Sequence, residues 1–143
     1  MSTKEKQEKL VEIMKRWQRV ENAAVVQTSK VMDETEHPLI RLVMEIIQRD
    51  SHVHHRVQQA IIDSFEREAP HITPADLEKV WDSIEKHIAT EKMTLELASE
   101  ALQTIGGTKN IVQQYLLTYL LEDEEKHDKL LSDLEFIKKG MYP

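Results

Sequence analysis

The stretch LLEDEEKHDKLL, residues 120–131, decides the fold. Its outer leucines belong to a series, Val112, Leu116, Leu120, Leu131, Leu134 and Ile137, whose three-and-four spacing marks a helix buried along one face. Inside the stretch that apolar stripe is interrupted by Glu124. His127 follows three residues later, one helical turn away on the same side. Burying an ionised carboxylate costs several kcal/mol unless a cation or proton compensates it. An acid on the stripe therefore asks for a partner.

Three more segments carry the same interruption. Leu10, Ile13, Trp17, Val20, Ala24, Thr28 and Val31 form a stripe on which Glu21 lies one turn beyond Trp17. Leu39, Leu42, Ile46, Val53, Val57, Ile61 and Phe65 form the second, broken at Asp50. Leu77, Val80, Ile84, Ile88, Leu95, Ala98 and Leu102 form the third, broken at Glu91. The spacing predicts helices over residues 4–33, 38–67, 74–105 and 109–139, in one all-α domain over residues 1–143. Pro38 separates the first two helices, Thr73 caps the third ahead of Pro74, Gly106 and Gly107 stop it, and Gly140 ends the fourth. His37 and His71 fall in turns.

The connections are short, so sequential neighbours are expected to run in opposite directions as an up-down-up-down four-helix bundle. A linker of six or seven residues reaches at most about 25 Å, whereas a 30-residue helix is about 45 Å long. The chain cannot cross back along the bundle unless two copies exchange hairpins in a homodimer. In such hairpins, residues equally far from a turn are level. The midpoint of residues 21 and 50 falls between Thr35 and Glu36, that of 91 and 124 between Gly107 and Thr108, and that of 50 and 91 between Pro70 and His71. All three lie in predicted turns, so the four acids are expected in one layer.

Histidines join that layer. His127 follows Glu124, and His54 follows Asp50 by four residues, about 40° around the helix. His52 and His55 lie about 160° and 140° from Asp50, which leaves His55 the weaker alternative. His87 sits one turn before Glu91, where it would support a ligand from behind or add one. Bridging carboxylates hold two cations together, and imidazole suits iron and manganese. The predicted metal ligands are Glu21, Asp50, His54, Glu91, Glu124 and His127.

Composition narrows the alternatives. The chain has 143 residues, three glycines, four prolines and no cysteine. Disulfides, thiolate nucleophiles and cysteine-held iron–sulfur clusters are excluded, so any metal uses oxygen and imidazole ligands. The net charge of −7 argues against nucleic acid and anionic lipid as partners. The polar, lysine-rich start and the lack of a membrane-length apolar run predict a soluble cytoplasmic chain. Trp17 reads as core, and Tyr115 and Tyr119 as packing or surface residues.

This layout resembles the ferritin-like di-iron carboxylate superfamily of rubrerythrins, bacterioferritins and ferritins. Glu124-Glu125-Lys126-His127 matches its Glu-x-x-His motif, and Glu21 and Glu91 match the single glutamates of the partner helices. Asp50-Ser51-His52-Val53-His54 departs from the motif in acid and in spacing. The resemblance implies two iron ions, with manganese as the alternative. It further implies an oxidoreductase of ferroxidase or peroxidase type, acting on O₂ or hydrogen peroxide and drawing on an external electron donor. A metal-binding or O₂-sensing module without turnover, and a purely structural helical bundle, are the competing readings.

Overall fold

The computed structural model describes residues 1–67 and 72–140. They are helical, in the order α1 (Thr3–Glu34), α2 (Pro38–Glu66), α3 (Pro74–Glu78), α4 (Trp81–Ile105) and α5 (Ile111–Lys138). The chain divides into two compact units, Met1–Pro70 and His71–Pro143. Residues 68–71, which hold Pro70 and His71 of the expected linker, lie outside the described residues.

The first unit is the α1/α2 hairpin. Ser2 opens α1 with a capping box, its hydroxyl accepting from the Glu5 N–H while the Glu5 carboxylate accepts from the Ser2 N–H, which satisfies otherwise orphaned donors at the helix start. At the turn, His37 caps α2 by accepting the Leu39 N–H on Nδ1 at 3.2 Å. Pro38, which has no N–H to lose, takes the first helical position. The Arg41 guanidinium donates to the carbonyls of Met32 and Thr35, closing the end of α1.

Residues that meet across this hairpin rise in number along α2 as they fall along α1. Gln48 Nε2 donates to Ser29 Oγ at 2.7 Å, Gln18 Nε2 to Gln59 Oε1 at 3.0 Å, and Lys15 pairs with Glu66 at 2.9 Å. The seam in α1 runs through Val11, Met14, Gln18, Glu21, Val25 and Thr28. Opposite it lie Met44, Gln48, Ser51, His55, Gln58 and Ile62 of α2. Val11, Met14 and Ile62 make an apolar cluster at the open end, while the middle is polar. No protein donor reaches the buried Gln58 Oε1.

This seam corrects the expected stripes. Leu10, Trp17 and Val20 in α1, and Leu42, Val53, Val57 and Phe65 in α2, are exposed within the hairpin. A helix packed on one neighbour buries only a narrow strip, whereas the apolar stripe of each sequence is wider. The part of the stripe next to the seam stays uncovered.

The second unit holds α3, α4 and α5. The expected helix over residues 74–105 is broken: α3 ends at Glu78, and Val80 leaves the helical region at φ −117° and ψ 3°. Thr73 and Asp76 form a capping box around the start of α3. The break lets α3 pack on α5 as well as α4, and both Leu77 and Trp81 are buried. The Lys138 ammonium lies 4.9 Å from the Trp81 ring centre, a cation–π contact.

α4 stops at Ile105, and Gly107 adopts φ +74°, a conformation that is strained for residues with a Cβ. α5 begins at Ile111 rather than residue 109. Asn110 sits at ψ 68°, outside the helical region, with its side chain donating to Thr108 Oγ1 at 2.9 Å. Gly140, at φ +66°, follows the end of α5 and donates its N–H to the Ile137 carbonyl. The α4 seam runs through Trp81, Ile84, Ile88, Glu91, Leu95 and Ala98. Val80, Val112 and Leu120 of the expected stripes are exposed, for the reason given for the first hairpin. Among the described residues, no helix is long and apolar enough to cross a membrane.

Candidate metal centre

Glu21 and Glu91 are the buried acids of their hairpins, at 7% and 6% exposure. Each stands on a seam where the surrounding helical turns supply polar partners.

In the first hairpin, the Trp17 indole N–H donates to Glu21 Oε1 at 3.1 Å from one turn earlier. His54 Nδ1, from α2, lies 3.3 Å from the same oxygen. Trp17, expected in the core, is 51% exposed, because the indole leans along the flank of α1 toward the carboxylate. His55 instead offers its backbone carbonyl to Gln18. Asp50 is half-buried and makes no ion pair with His54 among the described residues. The first hairpin thus joins Glu21 and His54 and leaves Asp50 apart.

The second hairpin makes a denser cluster. His127 Nδ1 lies 3.5 Å from Glu91 Oε1 and 3.4 Å from Glu124 Oε2. His87 Nε2 approaches Glu91 Oε1 at 2.9 Å from the preceding turn of α4. Thr94 Oγ1 is 3.1 Å from Glu124 Oε2 and 2.7 Å from the Glu91 carbonyl oxygen, tying the two helices together. The other ring nitrogen of His127 faces Asp123 Oδ2 at 3.4 Å, and Asp123 also pairs with Lys126 at 2.7 Å. Asp123 can accept a proton carried on Nε2, so that Nδ1 would be the nitrogen offered to a cation held between the two glutamates.

The hydrogen bond from the Glu124 carboxyl holds Glu91 below the usual carboxylate range. Burial opposes that shift, and the fields of His127 and His87 reinforce it. A cation placed between the two carboxylates would neutralise both at once.

The donor set fits a metal ion. Bonds of about 2.0–2.3 Å to oxygen and nitrogen place ligand atoms roughly 3 to 4.5 Å apart. The ligand atoms of Glu91, Glu124 and His127 lie within 4.8 Å of one another, so small side-chain rotations would close the shell. A depression lined by His87, Glu91, His127, Leu130 and Leu131 opens onto this cluster.

No family model, curated protein or solved structure matches the chain. The chemistry of the centre therefore rests on its own residues.

The roles of Trp17, Thr94 and Asp123 emerge only in the structure. Trp17 and Asp123 stand four residues before Glu21 and His127, and that spacing was a usable signal. Thr94 had none, since a hydroxyl reaching Glu124 across the seam depends on how α4 and α5 are rotated.

Proposed function

We propose that the chain is a dimetal carboxylate protein. In this reading its two hairpins close as an antiparallel up-down-up-down four-helix bundle of ferritin-like type. Glu21, His54, Glu91, Glu124 and His127 ligate two iron ions, with manganese as the alternative metal, and Asp50, expected among the ligands, stands outside them. The observation that carries the reading is the cluster of Glu91, Glu124 and His127, three donors from two helices with ligand atoms within 4.8 Å of one another.

Closure of the hairpins is supported by what each leaves exposed. Trp17, Val20, Val53 and Val57 on the first, and Met93, Leu97, Leu120 and Leu130 on the second, find no cover within their own units. Exposed apolar surface of this kind drives association. The same surface would serve exchange of hairpins in a homodimer.

Ferrous iron bound there would supply electrons to O₂ or hydrogen peroxide, which makes an oxidoreductase the favoured activity. The protein's part is electrostatic and geometric. Glu91 and Glu124 balance cationic charge, His127 presents a neutral nitrogen, and Asp123 and His87 hold these ligands in orientation. With no cysteine in the sequence to hold a rubredoxin-like iron, re-reduction in this reading falls to a separate electron donor.

Elemental analysis of protein purified without chelator tests the reading, followed by anaerobic ferrous loading and exposure to air. Stoichiometric metal, ferrous oxidation faster than in buffer, and loss of both in Glu124→Ala are expected. Bound metal without oxidation would leave a binding or O₂-sensing module. Protein that takes up no metal, and melts at the same temperature with and without chelator, would leave a structural bundle and refute the proposal.

A further inference from the structure

The two hairpins repeat one another position by position. A constant shift in residue number carries the α1 seam onto the α4 seam, with Glu21 on Glu91. A second constant shift carries α2 onto α5, with His54 on His127. The contacts obey the same correspondence. Glu21 Oε1 meets Trp17 Nε1 at 3.1 Å and His54 Nδ1 at 3.3 Å. Glu91 Oε1 meets His87 Nε2 at 2.9 Å and His127 Nδ1 at 3.5 Å. In both hairpins one oxygen of the buried acid faces a ring nitrogen from four residues earlier and an imidazole from the partner helix.

Under this correspondence Asp50 falls on Asp123, and Ser51 falls on Glu124. Asp123 faces the outer nitrogen of His127, away from the nitrogen that faces the glutamates. Asp50 therefore holds the place of an outer partner of His54 rather than a ligand. Ser51 is on the seam, 5% exposed, where the second hairpin has its second carboxylate. A serine side chain ends two bonds short of a glutamate carboxylate and carries no charge at neutral pH, so it replaces neither the reach nor the anion.

We infer that the two metal positions are unequal: one divalent cation is held tightly by Glu91, Glu124 and His127, and the position at Glu21 and His54 is weakened by Ser51, which stands where a carboxylate ligand would complete it. This rests on the dimetal reading above. Affinity for a hard cation follows the number of charged ligands, and losing even an outer partner of a ligand costs roughly 10–100-fold. The two positions are expected to differ at least about tenfold, and Ser51→Glu to narrow the gap.

The full chain carries a reporter for the weaker position, since the Trp17 indole donates directly to Glu21. In a Trp81→Phe background, Trp17 is the one remaining tryptophan. Chelator-stripped protein would be titrated with manganous ion, with free metal counted by electron paramagnetic resonance and Trp17 emission followed in parallel. The first equivalent should bind without changing Trp17 emission. The second should bind at least about tenfold more weakly and change it. Ser51→Glu should draw the emission change to lower metal concentration, and Glu124→Ser should abolish the tight class, so that the test survives misfolding of either variant. Two equal equivalents, a Trp17 response to the first one, or folded Ser51→Glu protein with unchanged second affinity would overturn the inequality alone. No manganese binding at either position would refute the dimetal reading as well.

Discussion

Replacing Glu91 by leucine should make the metal-free protein more stable and the metal-loaded protein less stable than the parent. Glu91 is 6% exposed on the seam, with Ile88 and Leu95 on the same face of α4. A leucine there gains about 1.5–3 kcal/mol of apolar burial. What it loses are the pairs with His87 and His127, whose side chains are 58% and 39% exposed against 8% for Glu91, so that water reaches each pair from the histidine side and holds it to about 1 kcal/mol. It also loses the hydrogen bond with Glu124, against which stands the relief of no longer holding the Glu91 carboxylate out of water. The net gain in chelator is about 1–2 kcal/mol. In the parent, free metal at a hundred times its Kd adds about 2.7 kcal/mol, and the variant, lacking the central ligand, gains little. The stability order should therefore invert between chelator and metal. Urea titration at pH 8, followed by circular dichroism with chelator and then with manganous ion, measures both differences. A Glu91→Leu protein less stable than the parent in chelator would mean that the carboxylate is there to hold the hairpin together, and the argument from a cation-requiring acid would fail.

Three further outcomes follow from particular contacts. Gln58→Leu should stabilise the first hairpin by about 1–2 kcal/mol, because it removes a buried acceptor that no protein donor reaches; thermal melting reads it. Thr94→Val keeps the shape of the side chain but removes the hydroxyl that meets Glu124 at 3.1 Å. Metal affinity measured by calorimetry should fall about tenfold with little change in chelator. Acid should destabilise the metal-free protein in a defined direction. Glu91 and Asp76 are both held below their ordinary values, Glu91 first by the Glu124 hydrogen bond and Asp76 by the Thr73 backbone N–H and then by the Thr73 hydroxyl, which alanine removes. Their contribution is complete above the unfolded-state carboxylate range, near pH 4–4.5, and is lost as pH falls through the lower folded-state values. Urea midpoints measured from pH 6 to pH 3 should drop, and the drop should be smaller in Thr73→Ala.

Helix positions were legible because their signals are local. Pro38, the Thr73–Pro74 pair, Gly107 and Gly140 act within a few residues, and α1, α2 and the end of α4 match the expected bounds closely. The break at Val80 was not legible. Val80 continues a three-and-four pattern, and nothing in that pattern says that α3 finds a better surface on α5 by leaving the axis of α4. The apolar stripes misled for a related reason: periodicity identifies a face about a third of a helix wide, whereas the hairpin buries a strip one residue further round.

By itself the sequence determined an all-helical chain, the turns that define two hairpins, and the presence of Glu21 and Glu91 on buried faces. These follow from spacing along a single helix, which the 3.6-residue repeat translates directly into direction. Only the tertiary structure decided which groups touch those acids. Trp17 and His54 on Glu21, and His87 and His127 on Glu91, depend on the rotation of one helix against its neighbour, and that rotation is set by side-chain packing across the seam rather than by periodicity. For the same reason Asp50 and Ser51, adjacent in the chain, exchanged importance: the α1/α2 seam passes through Ser51 and leaves Asp50 beside it.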